Sequence, residues 1–271
     1  MAAIEITDRS GGPNDGVSMT IRAGERAEAT LRREKGAWVL DYPVEPGTTR
    51  EVRDPAVATE VVTAAADAVA GHGGGPLTLW VPHPDEDRET VAAAAGLAPG
   101  RVLYEMRRPL PVDDRARGGV APLATRPFRP GQDEDAWLAV NNRAFAWHPE
   151  QGGWDRATID AHEAEDWFDP DGFLLHETDG VVDGFCWTQV HAETTPVLGE
   201  IYVIAADPSA AGGGFGRRLV LAGLDWLSNA GVTVGMLYTD ADNVRAVKLY
   251  VDMGFIVHHL HQAFTGNVPA A

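Results

Sequence analysis

Residues 198–219 hold the densest run of groups able to do chemistry: Leu198-Gly-Glu-Ile-Tyr-Val-Ile-Ala-Ala-Asp-Pro-Ser-Ala-Ala-Gly-Gly-Gly-Phe-Gly-Arg-Arg-Leu219. An apolar stretch, Ile201 to Ile204, reads as a strand that enters a glycine-rich turn, and the turn opens a helix. Gly212, Gly213, Gly214 and Gly216 carry no Cβ to keep an anion off the backbone. The helix start adds unpaired N–H groups and a partial positive charge. The segment therefore predicts a pyrophosphate cradle, with Arg217 and Arg218 as further cations. Glycine richness alone reads first as a flexible turn. The Lys-Ser/Thr of a Walker loop does not follow, and the acidic residue of a dinucleotide fingerprint is missing. Glu200 heads the strand, where a carboxylate is either simply solvated or a base. Tyr250, on the apolar face of the last helix, reads by itself as a core tyrosine.

Other reactive side chains carry less. Cys186 is the sole cysteine. It has no disulfide partner, and a thiol nucleophile would need a neighbouring His. The run His258-His259-Leu-His261 is too irregular for a metal site and reads as an edge strand. No metal is expected. His148 reads as a loop-ordering residue. Gly73-Gly-Gly75 precedes a strand rather than a helix, the wrong geometry for holding an anion.

These groups need a frame. A Pro-, Gly- and charge-rich stretch, Pro109 to Pro122, has linker composition and divides the chain into two halves. In the first, alternating residues predict strands at 17–22, 27–32 and 37–42 as an antiparallel meander. Asp54-Pro55 predicts the start of a helix that runs to about Ala70. A strand at 77–81, a helix at 87–95 and a strand at 101–106 follow. The second half reads as a strand at 123–127, helices at 133–144 and 156–167, and strands at 172–178, 184–192 and 199–205. A helix over 214–229, a strand over 234–239, a helix capped by Asp242 and a final strand over 255–261 complete it. Much of this order recurs between the halves, so they read as divergent copies of one α/β unit.

The chain has 271 residues, enough for two small domains. Its 22 Lys and Arg against 40 Asp and Glu give a formal charge of −18, which disfavours nucleic acid and anionic membranes. Residues 1–8 lack the basic and apolar regions of a signal peptide. No stretch reaches the roughly 18 apolar residues of a membrane span. The expectation is a soluble, cytoplasmic protein, a monomer acting on a small molecule.

Residues 211–216 resemble motif A of the GCN5-related N-acetyltransferases. Asp242-Asn-Val-Arg-Ala-Val-Lys-Leu-Tyr-Val-Asp-Met-Gly-Phe255 resembles their motif B, in the right order and spacing. Asn141 to Phe145, His148 to Gly152, Trp167 to Gly172, Gly184 to Thr188, Leu198 to Val203 and Met106 to Leu110 are similar to one branch of that family. Its members join two acetyltransferase-like halves and acetylate the cysteinyl amine of cysteinyl-glucosaminyl-inositol. The resemblance implies an α/β fold of two tandem halves, each a mixed, mostly antiparallel sheet flanked by helices. It implies a degenerate copy over 1–110, a linker over 111–121 and a catalytic half over 122–271, with the site near the junction. Acetyl-CoA is the implied donor, held by Ile204, Ala205, Ala206, Ala211, Gly212, Gly213, Gly214, Phe215, Gly216 and Arg217. Asn243, Val244, Arg245, Ala246, Val247 and Lys248 are implied to complete that site. Glu200 becomes the base and Tyr250 the acid, a phenol of pKa about 10 matching an alkyl thiol. Asp169, Gln189, Glu200 and Tyr238 become acceptor contacts. Three positions depart from the pattern. Ala211 stands for Gln or Arg, Gly213 for Arg, and Gln189 for Lys. Gln189 keeps open an acetyltransferase for another amine, and Ala211 a non-catalytic acyl-CoA-binding module.

Overall fold

The computed structural model describes residues 3–8, 17–34, 36–148, 151–210 and 212–271. Alternation of apolar and polar side chains makes the first strands. β1 (Ile4–Asp8), β2 (Ser18–Ala23), β3 (Ala27–Glu34) and β4 (Ala37–Asp41) pair antiparallel in succession. Met19, Ile21, Leu31, Trp38 and Leu40 face one core. The sequence analysis has no counterpart of β1, which lies on the short apolar pair Ile4 and Ile6. α1 (Pro55–Gly71) begins as expected: Asp54 accepts the Ala56 N–H at 3.0 Å and Pro55 occupies the first turn. Val57, Val61, Val62, Ala65 and Val69 join the core. β5 (Gly75–Pro82) runs parallel to β4; α2 (Glu86–Ala94) and β6 (Ala98–Pro109) follow.

Then come α3 (Asp114–Arg117), β7 (Arg126–Pro127), α4 (Glu134–Ala144), α5 (Arg156–Glu163), β8 (Phe173–Thr178) and β9 (Val181–His191). β10 (Leu198–Ala206), α6 (Phe215–Asn229), β11 (Val234–Asp240), α7 (Val244–Asp252) and β12 (Ile256–Val268) end the chain. No helix among the described residues is long and apolar enough to cross a membrane.

Contacts divide the chain into two units. One holds residues 1–104, 240–242 and 259–271; the other holds 105–239 and 243–258. In the first, β12 pairs antiparallel with β5, from His261 opposite Pro82 to Val268 opposite Gly75. Its strand therefore lies inside a sheet, between β5 and β6, and not at an edge as its sequence suggested. In the second unit the order is β6, β11, β10, β9, β8, β7. The β7–β8, β8–β9 and β9–β10 pairs are antiparallel, and β10–β11 is parallel. Trp137 of α4 and Phe173, Phe185 and Trp187 of the sheet form this unit's aromatic core.

Four local expectations are corrected. The stretch expected as a linker packs: Asp113 caps α3, Val112 and Ala116 are buried, and Arg117 pairs with Asp225 of α6 at 3.0 Å. β7 shrinks to two residues, and α5 stops at Glu163 instead of continuing to Trp167. α7 is capped by Asn243, not Asp242: the Asn243 Oδ1 accepts the Ala246 N–H at 3.2 Å. Asp242 and Asn243 are equally good caps, so residue type alone does not choose between them.

Candidate active site

β10 is the spine of the site. It pairs with β11 from Leu198 opposite Val234 to Ile201 opposite Leu237, and the ladder stops there although both strands continue. On its other side the pairing with β9 shifts register between Ile201 and Val203. Such a bulge bends a strand. The two parallel strands thus part company, with Glu200 just before the parting and Ile204, Ala205 and Ala206 beyond it.

Register places three of the expected acceptor contacts on one face. Gln189 lies directly opposite Glu200. Tyr238 is two residues beyond Met236, which is opposite Glu200 on the other side. Glu200 is 7% exposed. The Tyr238 hydroxyl approaches Glu105 Oε2 at 3.5 Å. Burial, then the Glu105 and Glu200 carboxylates, push that phenol well above its ordinary range. Tyr202, in the bulge, packs against Trp167 and Trp187. Burial and then Glu200 and Glu165 push its hydroxyl up to about 12. Asp169 is not tied to this group. It is exposed and its Oδ1 accepts the Asp171 N–H at 2.9 Å, capping a single 3-10 turn over Pro170–Gly172.

Beyond β10, Gly212, Gly213 and Gly214 all have φ in the left-handed region, at 127°, 56° and 79°, and a Cβ at any of them would meet open space. Gly214 caps α6 without a side-chain oxygen, so the helix's first N–H groups face outward unserved by a cap. Phe215 is an exception, donating its N–H to Gly212 O at 2.8 Å while its ring packs on His176. The sequence reading expects a pyrophosphate cradle here, and the backbone at these glycines is open enough for one. Ala211 lies outside the described residues, as do Pro149 and Glu150 of the expected 148–152 motif. Arg217 and Arg218, expected as further cations, each make a bond away from the loop. Arg217 donates to Ala116 O at 2.5 Å and Arg218 to Ala121 O at 3.1 Å, so both guanidinium groups anchor the α3 segment.

α7 lies beside the start of α6: a methyl at Gly216 would meet Leu249 Cδ2 at 3.6 Å. Asn243, Val244, Arg245, Ala246, Val247 and Lys248 form its cap and first turns, with Asn243 Oδ1 already used as the cap. Lys248 pairs with Asp252 at 2.8 Å. Tyr250 is buried against Phe255. Its phenol is pushed up by burial and then by the Cys186 thiol, which sits opposite Ile204 in β9. Cys186 is fully buried and its thiol is pushed up to about 12, so it stays protonated and supplies no nucleophile.

Three residues at the site were not singled out in the sequence. His191, at the end of β9, puts Nε2 2.8 Å from Glu200 Oε2. Asp207, after β10, accepts from the Ser209 amide at 2.9 Å, the Ser209 hydroxyl at 2.6 Å and Arg143 Nε at 2.8 Å, and so shapes the glycine loop. Arg108, 4% exposed, donates to Met253 O and closes α7. Each acts through a partner distant in sequence or through local loop geometry, and neither shows in a residue pattern.

Comparison with known proteins agrees with this architecture. The Acetyltransferase (GNAT) family model matches residues 139–255. A mycothiol acetyltransferase of Acidimicrobium ferrooxidans is 46% identical over 78% of this chain and 69% of its own. One of Pseudarthrobacter chlorophenolicus is 38% identical over 94% of this chain and 86% of its own. In fold, the chain is similar to a solved tandem GNAT protein from the clavulanic acid biosynthesis pathway. The TM-score is 0.71 at 16% identity, over 97% of this chain and 86% of that one. The second unit's parted strands and glycine cradle lie inside the matched segment, and the identity extends across most of both chains. This chain accordingly belongs to the mycothiol acetyltransferase family of GNAT acyltransferases.

Proposed function

We propose that the protein transfers the acetyl group of acetyl-CoA to the cysteinyl amine of cysteinyl-glucosaminyl-inositol, giving mycothiol. The observation that carries the reading is the alignment of Gln189, Glu200 and Tyr238 on one face of three adjacent strands, just before β10 and β11 part and the glycine cradle begins. Gly212, Gly213, Gly214 and Gly216 would hold the pyrophosphate, and residues 204–206 and 243–248 the rest of the donor. When bound, the donor supplies an activated acetyl group as a thioester.

Glu200 takes a proton from the acceptor's ammonium, directly or through water, and frees the lone pair. The new C–N bond forms as the C–S bond breaks. Tyr250 then gives its phenolic proton to the departing sulfur. Burial raises its proton affinity, so it is protonated throughout the neutral range but is a weaker donor to the thiolate than the unperturbed phenol that the sequence reading matched to it. The family relationship supports this reading, as does the buried Glu200. A second reading, another small amine as acceptor, is favoured by one residue: uncharged Gln189 opposite Glu200.

The test is the full-length protein with acetyl-CoA and a panel of amines, with each product identified by mass. The expected result is one acetyl group on the cysteinyl nitrogen of cysteinyl-glucosaminyl-inositol, at a higher kcat/KM than on free cysteine or glucosamine. Preference for another amine selects the second reading. Acetyl-CoA binding without turnover on any amine rejects both.

A further inference from the structure

The chemistry above leaves His191 without a role. It is two residues beyond Gln189 on β9 and therefore on the same face as Gln189 and Glu200. Its Nε2 is 2.8 Å from Glu200 Oε2 and its Nδ1 is 3.4 Å from Glu193 Oε1. The ring joins a carboxylate whose side chain is 9% exposed to one that is 74% exposed. The charged groups facing the imidazole are Glu200 from β10 and Glu193 from the turn after β9. Around Glu200 itself stand Gln189, Tyr202 and Tyr238, with Glu105 and Arg107 beyond Tyr238.

We propose that His191 is a positioning residue for Glu200: its Nε2–H donates to Oε2, fixes the carboxylate in one rotamer and leaves Oε1 for the acceptor's ammonium. Glu193, on the other ring nitrogen, orients the imidazole from the solvent side. A buried carboxylate needs hydrogen-bond partners, and a charged imidazole N–H is a strong one. The hydrogen bond to Glu200 is the largest influence holding the imidazole's proton, and it outweighs the burial that opposes it. The ring thus remains cationic to a higher pH than a free His. This inference rests on the reading of Glu200 as the base.

The test uses the full chain at saturating acetyl-CoA with cysteinyl-glucosaminyl-inositol. Profiles of kcat/KM against pH are measured for wild type, His191→Ala, His191→Gln and Glu200→Gln. His191→Ala is expected to lose about 10- to 100-fold at pH 7, the size of one hydrogen bond to a charged group. Its acid limb should move to higher pH, because an unpartnered carboxylate is harder to ionise, while acetyl-CoA affinity stays unchanged. His191→Gln keeps a neutral donor and should recover part of both effects. An acid limb unmoved in His191→Ala, or equal losses in the Ala and Gln variants, overturns the proposal. If His191→Ala fails to fold, the acid limb of His191→Gln decides alone: higher than wild type supports positioning, and unchanged refutes it. An active Glu200→Gln removes the base reading and this inference together. An inactive Glu200→Gln beside an undisturbed His191→Ala removes this inference only.

Discussion

The roles proposed for Glu200 and Tyr250 are opposite, and their surroundings differ. Glu200 is hydrogen-bonded to the His191 imidazole, whereas Tyr250 lies among apolar groups and the Cys186 thiol, which favour its protonated form. Tyr250→Phe keeps the ring against Phe255. Its melting temperature should match wild type while turnover falls about 100- to 10,000-fold, the usual worth of a general acid. Unchanged turnover would make Tyr250 a core residue only. Gln189→Lys adds a cation opposite Glu200. It should change the acceptor KM more than kcat, because it alters binding in the ground state. Equal changes in both would place residue 189 in the chemistry instead. Glu200 stands out in the sequence as a carboxylate heading an apolar strand before a glycine loop, and the family resemblance marks it as the base. His191 does not stand out, because its meaning lies in hairpin register, which decides which residue faces Glu200 across two strands.

At the scale of elements, the glycine loop is held from its first residue. Asp207 receives the Ser209 hydroxyl and amide and the Arg143 guanidinium, which hold its carboxyl at about 2. A free aspartate titrates near 3.9. The ionised form is therefore the one that stabilises the fold, with its contribution complete above about pH 4 and lost as pH falls through about 2. Asp207→Asn should melt below wild type at pH 6, and the gap should close as pH falls from 4 toward 2. A gap that widens in acid would contradict this sign. The same substitution should weaken acetyl-CoA binding roughly tenfold, since the loop loses charge-assisted bonds. The sequence showed the loop and both flanking elements, because glycines and apolar periodicity are local signals. It did not show that Arg217 and Arg218, which read as phosphate cations, also donate to the carbonyls of Ala116 and Ala121. Those acceptors lie about 100 residues away, in a stretch whose composition suggested a loose linker.

At the scale of the molecule, the chain does not divide into two consecutive segments. Residues 259–271 belong to the unit built mainly from residues 1–104. Phe264 and Val268 of β12 enter its core beside Trp38, Leu77 and Leu79. Phe264→Ala should cost about 3–5 kcal/mol, as for other buried aromatic truncations. Denaturant titration with a probe in the first unit should show that loss; a shift under 1 kcal/mol would mean β12 contributes little there. The composition change near residues 109–122 suggested two parts, but contacts divide the chain after residue 104 and that stretch packs within the second unit. The return of the last strand was not visible, because the pairing of β12 with β5 joins residues 261–268 to residues 75–82 and leaves no mark on local periodicity.

Turnover of Glu200→Gln under saturating acetyl-CoA and cysteinyl-glucosaminyl-inositol at neutral pH, with acetyl-CoA affinity measured on the same protein, tests the account most directly. The isosteric amide cannot take the ammonium proton. Turnover should therefore fall about 100- to 10,000-fold while the Kd for acetyl-CoA stays at the wild-type value. Near-wild-type turnover would contradict Glu200 as the base, and with it the arrangement of β9, β10 and β11 as the place where the acetyl group is transferred.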